Sequence, residues 1–82
     1  MPLFMDTHTI KGVTADAVAG AHKKDLATQG KHGVHYLKYW VDEATGRVQC
    51  LVDAPNKEAA VAVHKEAHGL VADEIHEVKE YS

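Results

Sequence analysis

The groups in this sequence with the most chemistry to offer are imidazoles and carboxylates. Seven histidines occur among 82 residues, with twelve acidic side chains and a single cysteine, Cys50. The most specific local signal is His64-Lys65-Glu66-Ala67-His68. On a helix the i, i+4 spacing puts both imidazoles on one face, close enough to share an ion. The zincin motif needs Glu directly after the first histidine, and Lys65 stands there, so a metalloprotease is not supported. The same pair near a helix C-terminus also suits a solvated flank facing the negative end of the dipole. Asp6-Thr7-His8 sets a carboxylate and an imidazole on one strand face, two residues apart. That spacing fits a shared ion, an Asp that orients a His, or an ordinary polar strand face. His22 falls at the centre of a predicted apolar stripe, Ala15, Val18 and Leu26. It reads either as a buried core histidine whose N–H Asp25 accepts, or as a ligand or orienter close to His64. Cys50, mid-strand among apolar residues, reads as inert core. There is no glycine-rich phosphate loop, and no Ser-His-Asp grouping stands out, Ser82 being terminal.

The elements that carry these residues follow from periodicity and punctuation. Residues 2–9 alternate short apolar and polar side chains and form strand one. Thr14 caps helix one, about 15–29, which Gly30 is expected to stop. Residues 34–42, rich in Val, Tyr and Trp, form strand two. A loop over 43–46 turns the chain into strand three, 47–54. Asn56 caps helix two, which runs to about His68 before Gly69, and strand four covers 75–80. The order β-α-β-β-α-β over residues 1–82 predicts one α+β domain of the split βαβ, ferredoxin-like kind. Handedness then sets strand three between strands one and two, strand four on the far side of strand one, and both helices on one face of a four-stranded antiparallel sheet.

This topology brings His8, His64, His68 and His76 toward one end, with Asp42, Glu43, Asp73 and Glu74, and sends His32 and His35 to the other. Phe4, Asp6, His8, Tyr36, Lys38, Trp40, Gln49, Leu51 and Asp53 are expected on the uncovered sheet face, because Val48, Cys50, Val52 and Ala54 suit packing under helices. Such a face on a monomer predicts a homodimer, sheet against sheet or edge to edge through strand four.

Composition narrows the classes further. A net charge of −3 with scattered basic residues argues against nucleic-acid binding. No apolar run reaches the roughly 18 residues of a membrane helix. One cysteine excludes a disulfide scaffold, and a free thiol with no export signal predicts a cytoplasmic setting. A chain of this size has a marginal core and is commonly helped by a metal or a partner subunit.

The segments FMDTHTI, AHKKDLATQGKHGV, LKYWVDEATG, VQCLVDAP and VHKEAHGLVADEIHEV together resemble the small ferredoxin-like bacterial nickel-binding proteins, formerly a domain of unknown function. The resemblance covers essentially the whole chain. It implies a homodimer that binds nickel, with sequestration or buffering as its role. Carried over residue by residue, it matches Asp6, His8, His22, Asp25, His64 and His68. The expected metal residues are therefore Asp6, His8, His22, His64 and His68, acting as surface histidine/carboxylate sites. Imidazole donors suit zinc and copper as well as nickel. A competing reading is a small dimeric α+β barrel enzyme similar to cofactor-free monooxygenases and isomerases, with Asp6 and His8 as acid and base beside Tyr36 and Trp40. A third is an interaction module that needs no ligand.

Overall fold

The computed structural model describes residues 2–82. The chain forms β1 (Leu3–Thr9), α1 (Ala15–Thr28), a 3-10 turn (Gln29–His32), β2 (His35–Asp42), β3 (Arg47–Asp53), α2 (Lys57–Ala67) and β4 (Glu74–Val78). All neighbouring strands are antiparallel in the order β2-β3-β1-β4, as the ferredoxin-like expectation requires. Both caps are in place. Thr14 Oγ1 accepts from the Ala17 N–H at 3.1 Å, and Asn56 Oδ1 from the Ala59 N–H at 2.8 Å. Gly30 does not stop α1. The chain tightens into the 3-10 turn and ends at Gly33, whose φ of 66° takes the left-handed conformation. Gln29 Oε1 accepts from the Tyr36 N–H at 2.9 Å and ties that turn to β2. The fourth strand starts one residue earlier than expected and ends at Val78.

The core between sheet and helices is built from small side chains, chiefly valine and alanine, with Phe4, Tyr36 and Cys50. One face assignment is corrected. Phe4 lies opposite Val52, Asp6 opposite Cys50 and His8 opposite Val48. Directly opposed residues share a face, so Phe4, Asp6 and His8 point under the helices, and Leu3, Met5 and Thr7 point away. Tyr36 is also inside. An irregularity between Tyr36 and Lys38 shifts the β2 register, so Tyr36 faces inward while Lys38 and Trp40 face outward with Leu51 and Gln49. His76 pairs with Met5 and belongs to the outer face, away from the other histidines of its end.

Helix α1 is turned relative to its apolar pattern. Leu26 is 45 % exposed, whereas Asp25 is 3 % exposed. The helix presents Val18 and Asp25, seven residues apart, to the interior. A buried carboxylate is tolerated only with partners.

The β2–β3 hairpin is locked to the segment after β1 at Gly46. Its φ is +79°, and a Cβ there would lie 2.6 Å from the Ile10 carbonyl oxygen. The Ile10 N–H donates to the Gly46 carbonyl at 2.7 Å, so the two backbones leave no room for a side chain between them. Gly46→Ala is expected to lower stability by about 1–3 kcal/mol, from left-handed strain and this clash together. The urea midpoint of the variant checks it, and an unchanged midpoint removes the argument.

Candidate metal centre

His64 stands at the middle of the interior, and both of its ring nitrogens meet carboxylates. Nε2 lies 2.9 Å from Asp6 Oδ2, and Nδ1 lies 2.9 Å from Asp25 Oδ1. A carboxylate only accepts, so both nitrogens must donate, and the ring is an imidazolium. The three side chains form a buried triad with net charge −1, joining β1, α1 and α2. Burial by itself favours neutral His64, but the hydrogen bonds to Asp25 and Asp6 outweigh it and push the pKa up to about 11. Burial likewise opposes ionisation of Asp6, yet the hydrogen bond from His64 and the neighbouring His8 ring bring it down to about 2.

Further donors surround the triad. His8 Nε2 lies 3.2 Å from Asp6 Oδ1, and His68 Nε2 lies 3.0 Å from Asp25 Oδ1. Neither contact is aligned as a hydrogen bond, so Asp6 Oδ1 and His68 Nε2 are buried without one. The rings of His8 and His68 sit with centroids 5.1 and 5.0 Å from that of His64. Tyr36 covers the third side, its hydroxyl donating to the Ala60 carbonyl at 2.9 Å and reaching Asp6 Oδ2 at 3.4 Å. Burial lowers the pKa of His68, which favours the neutral, ligating form. Burial pushes the Cys50 thiol up to about 11, with His64 pulling it back.

Among the described residues, two groups have donor atoms within 4.8 Å of one another: Asp6, His8, Cys50 and His64, and Asp25, His64 and His68. Ligands at right angles on an ion with bonds of about 2.0–2.1 Å are about 2.9 Å apart. The His–Asp separations of 2.9 Å are those of the hydrogen bonds themselves, which an ion would have to replace. The hydrogen-bond-poor donor atoms, the net negative charge and the mixture of imidazole, carboxylate and thiol all fit a divalent transition ion. A cavity of about 230 Å³ opens beside them, walled by Val13, Val18 and Val48, with His8, Asp25, Cys50, His64 and His68 along its lining. That gives an ion a path and room for water.

The structure therefore gathers Asp6, His8, His64 and His68. His22 stands apart from both donor groups. It is half-buried, lines the same cavity and packs on Tyr39 with ring centroids 4.8 Å apart. Asp25 serves His64 and His68, not His22. The site is interior, which corrects the expectation of surface sites: Asp6, His8, Asp25 and His64 are all at most 5 % exposed. Cys50 is buried in the core as expected, and the pairing of β1 with β3 sets it opposite Asp6. The strand register carries that placement, but only once the face of β1 is known. Three of the four carboxylates expected near the histidines serve the backbone instead. Glu43 accepts from the Ala15 N–H, Asp73 from the Thr9 N–H, and Asp42 closes the hairpin. The acid–base arrangement with Trp40 does not form, because Trp40 and the Asp6–His8 pair lie on opposite faces of the sheet.

A family model described as "Nickel responsive protein SCO4226-like" matches residues 4–78. Among solved structures, SCO4226 from Streptomyces coelicolor A3(2) is 42 % identical, with a TM-score of 0.90, over 98 % of this chain and 99 % of that one. A search of curated proteins gave no match. No helix among the described residues is long and apolar enough to cross a membrane.

Proposed function

This chain belongs to the SCO4226-like nickel-responsive protein family, and from that premise we propose that it binds Ni²⁺ as cargo in the interior cluster around His64. The observation that carries this reading is the buried imidazole held between two carboxylates, with the orphaned Asp6 Oδ1 and His68 Nε2 beside it. Asp6, His8, His64 and Cys50 would hold the ion on the β1 side; Asp25, His64 and His68 are the alternative donor set on the α1 side. Bound there, the ion is shielded from the bulk, which suits sequestration or buffering in the cytoplasm. Copper and zinc suit the same donors, and copper has the higher intrinsic affinity, so preference for nickel would reflect metal supply or cavity shape.

The same reading includes a homodimer. Leu3, Met5, Trp40, Leu51 and Val78 line a groove on the sheet face that no helix covers, rimmed by Lys38, Lys79 and Glu80, and Trp40 is 49 % exposed. An apolar patch of this kind suits a partner, and the valine-and-alanine core leaves stability for a second subunit to supply.

The test is calorimetric titration of metal-stripped, tag-free protein with Ni²⁺, beside a His8→Gln/His68→Gln variant. That variant keeps the Asp6–His64–Asp25 triad and so keeps the fold. Affinity is expected to fall by more than the roughly 10–100-fold that loss of an outer-shell partner brings. Equal affinity and stoichiometry in the two proteins removes the site. Sedimentation equilibrium on the same samples reads the dimer, and a monomer mass at micromolar concentration removes that part.

A further inference from the structure

Helix α1 does not fill the space over strands β2 and β3. Ala17, Val18 and Ala21 form the helix wall of the cavity, and Tyr39 and Val48 form its sheet wall. Leu26, the one leucine of α1, is 45 % exposed and lies outside it. The cluster around His64 takes the inner end, and an ion there draws nothing from these apolar walls. An unfilled apolar space in an interior costs stability, and a longer side chain at either alanine would close it. The cavity measures about 230 Å³, and an apolar cavity of about 150 Å³ already accepts benzene. The space suits one aromatic ring with a short substituent.

Two features choose the class of molecule. His22 and Tyr39 stack in the wall with centroids 4.8 Å apart and planes tilted by 44°, so a ring entering beside them meets aromatic faces and edges. Charge is also divided along the cavity. Lys11 is exposed and stands at the opening, whereas the inner end holds the Asp6–His64–Asp25 triad with its net charge of −1. A carboxylate is drawn to the opening and repelled from the inner end. A mostly apolar pocket with one charged group to fix orientation is the ordinary form of a small-molecule site. We propose that the cavity binds a small single-ring aromatic carboxylate, its ring between α1 and β2–β3 and its carboxylate outward beside Lys11. No metal takes part, so the proposal stands apart from the nickel reading.

Metal-stripped, tag-free protein is titrated by calorimetry with benzoate. Benzyl alcohol, which keeps the ring, and acetate, which keeps the charge, are run in parallel. Benzoate is expected to saturate a single site per chain with a Kd below about 10 mM, benzyl alcohol to bind more weakly, and acetate to give no saturable heat. Lys11→Gln should weaken benzoate about two- to fivefold, as loss of one exposed ion pair does, and leave benzyl alcohol unchanged. Ala21→Leu fills the ring space without touching a metal-ligating group. It is expected to abolish benzoate binding while its urea midpoint stays equal or rises, and Ala17→Leu takes its place if that chain does not fold. Trp40 lies on the opposite sheet face, so its emission should not respond. No saturable benzoate binding overturns the proposal. Undiminished binding in Ala21→Leu also overturns it, by moving the ring elsewhere, as does a Trp40 response, which moves the ring to the outer groove. Equal benzoate affinity in Lys11→Gln overturns the placing of the carboxylate.

Discussion

His64→Ala is expected to be the most damaging single substitution in the chain. The change leaves Asp6 and Asp25 buried with no counter-charge between them. Removing one partner from a buried ion pair costs about 3–5 kcal/mol. A chain of this length has a total stability of about 4–12 kcal/mol, so the variant sits near the edge of folding. Urea unfolding by circular dichroism reads the loss as a lower midpoint. Lost volume also contributes, and a rescue experiment separates the two causes. Adding Asp6→Asn and Asp25→Asn to the His64→Ala chain removes the unpaired charges while leaving the gap. Charge as the cause predicts that much of the stability returns. No recovery assigns the loss to packing, and a His64→Ala midpoint equal to the parent's removes the triad as a stabilising feature.

The second large effect is on pH, where the folded protein and the metal-bound protein should move in opposite directions. His64 has its pKa raised from 6.5 to about 11 on folding. Its contribution is complete below pH 6.5 and is lost as pH climbs toward about 11. Asp6 is lowered from 3.8 to about 2, so its contribution is complete above pH 3.8 and is lost as pH falls toward about 2. Cys50 and Tyr36, both raised, weaken the alkaline side further. His68, lowered by burial, works against the acid side, where the unfolded chain takes up its proton more readily. Asp25 and His8 complete the set of groups facing His64. The metal-free protein is thus expected to be most stable between about pH 3.8 and 6.5. Metal affinity runs the other way. An ion competes with the proton on His64, so affinity should gain about tenfold per pH unit for each proton displaced. Between pH 6 and 8 in a non-coordinating buffer, one displaced proton makes nickel binding about a hundredfold tighter. Melting temperature against pH, with and without Ni²⁺, reads both trends in one series. A nickel-induced shift that is flat across this range means that His64 is not a ligand.

Much of the architecture is written locally. Thr14 and Asn56 cap helices because their side chains reach backbone donors three residues on. Gly46 and Gly69 mark turns, with φ of 79° and 78°. Alternation gives the strands, and the handedness of crossover connections gives the order β2-β3-β1-β4. The closeness of His64 and His68 was legible from their i, i+4 spacing, although α2 ends at Ala67 and His68 stands at its C-cap with extended φ.

The faces were not legible. Strand one carries apolar Leu3 and Met5 on one side and Phe4, Asp6 and His8 on the other. Alternation names the two sets, but hydrophobicity points the wrong way when polar residues are buried. The interior accepts Asp6 and His8 because His64 and Cys50 come from other elements to meet them. Asp25 shows the same thing on α1, where the carboxylate displaces Leu26 from the core by virtue of partners 39 and 43 residues away. The irregularity after Tyr36 likewise belongs to the pairing of two strands and leaves no mark in either one alone.

The sequence by itself thus determined the elements, their order and the abundance of metal-ligating side chains, since each follows from spacing along the chain. Only the tertiary structure decided which carboxylates meet which imidazoles, that Cys50 joins them, and that the cluster is interior. The physical reason is that a buried charge is stable only with its partners. Those partners lie on β1, α1, β3 and α2, and no stretch of sequence contains them together.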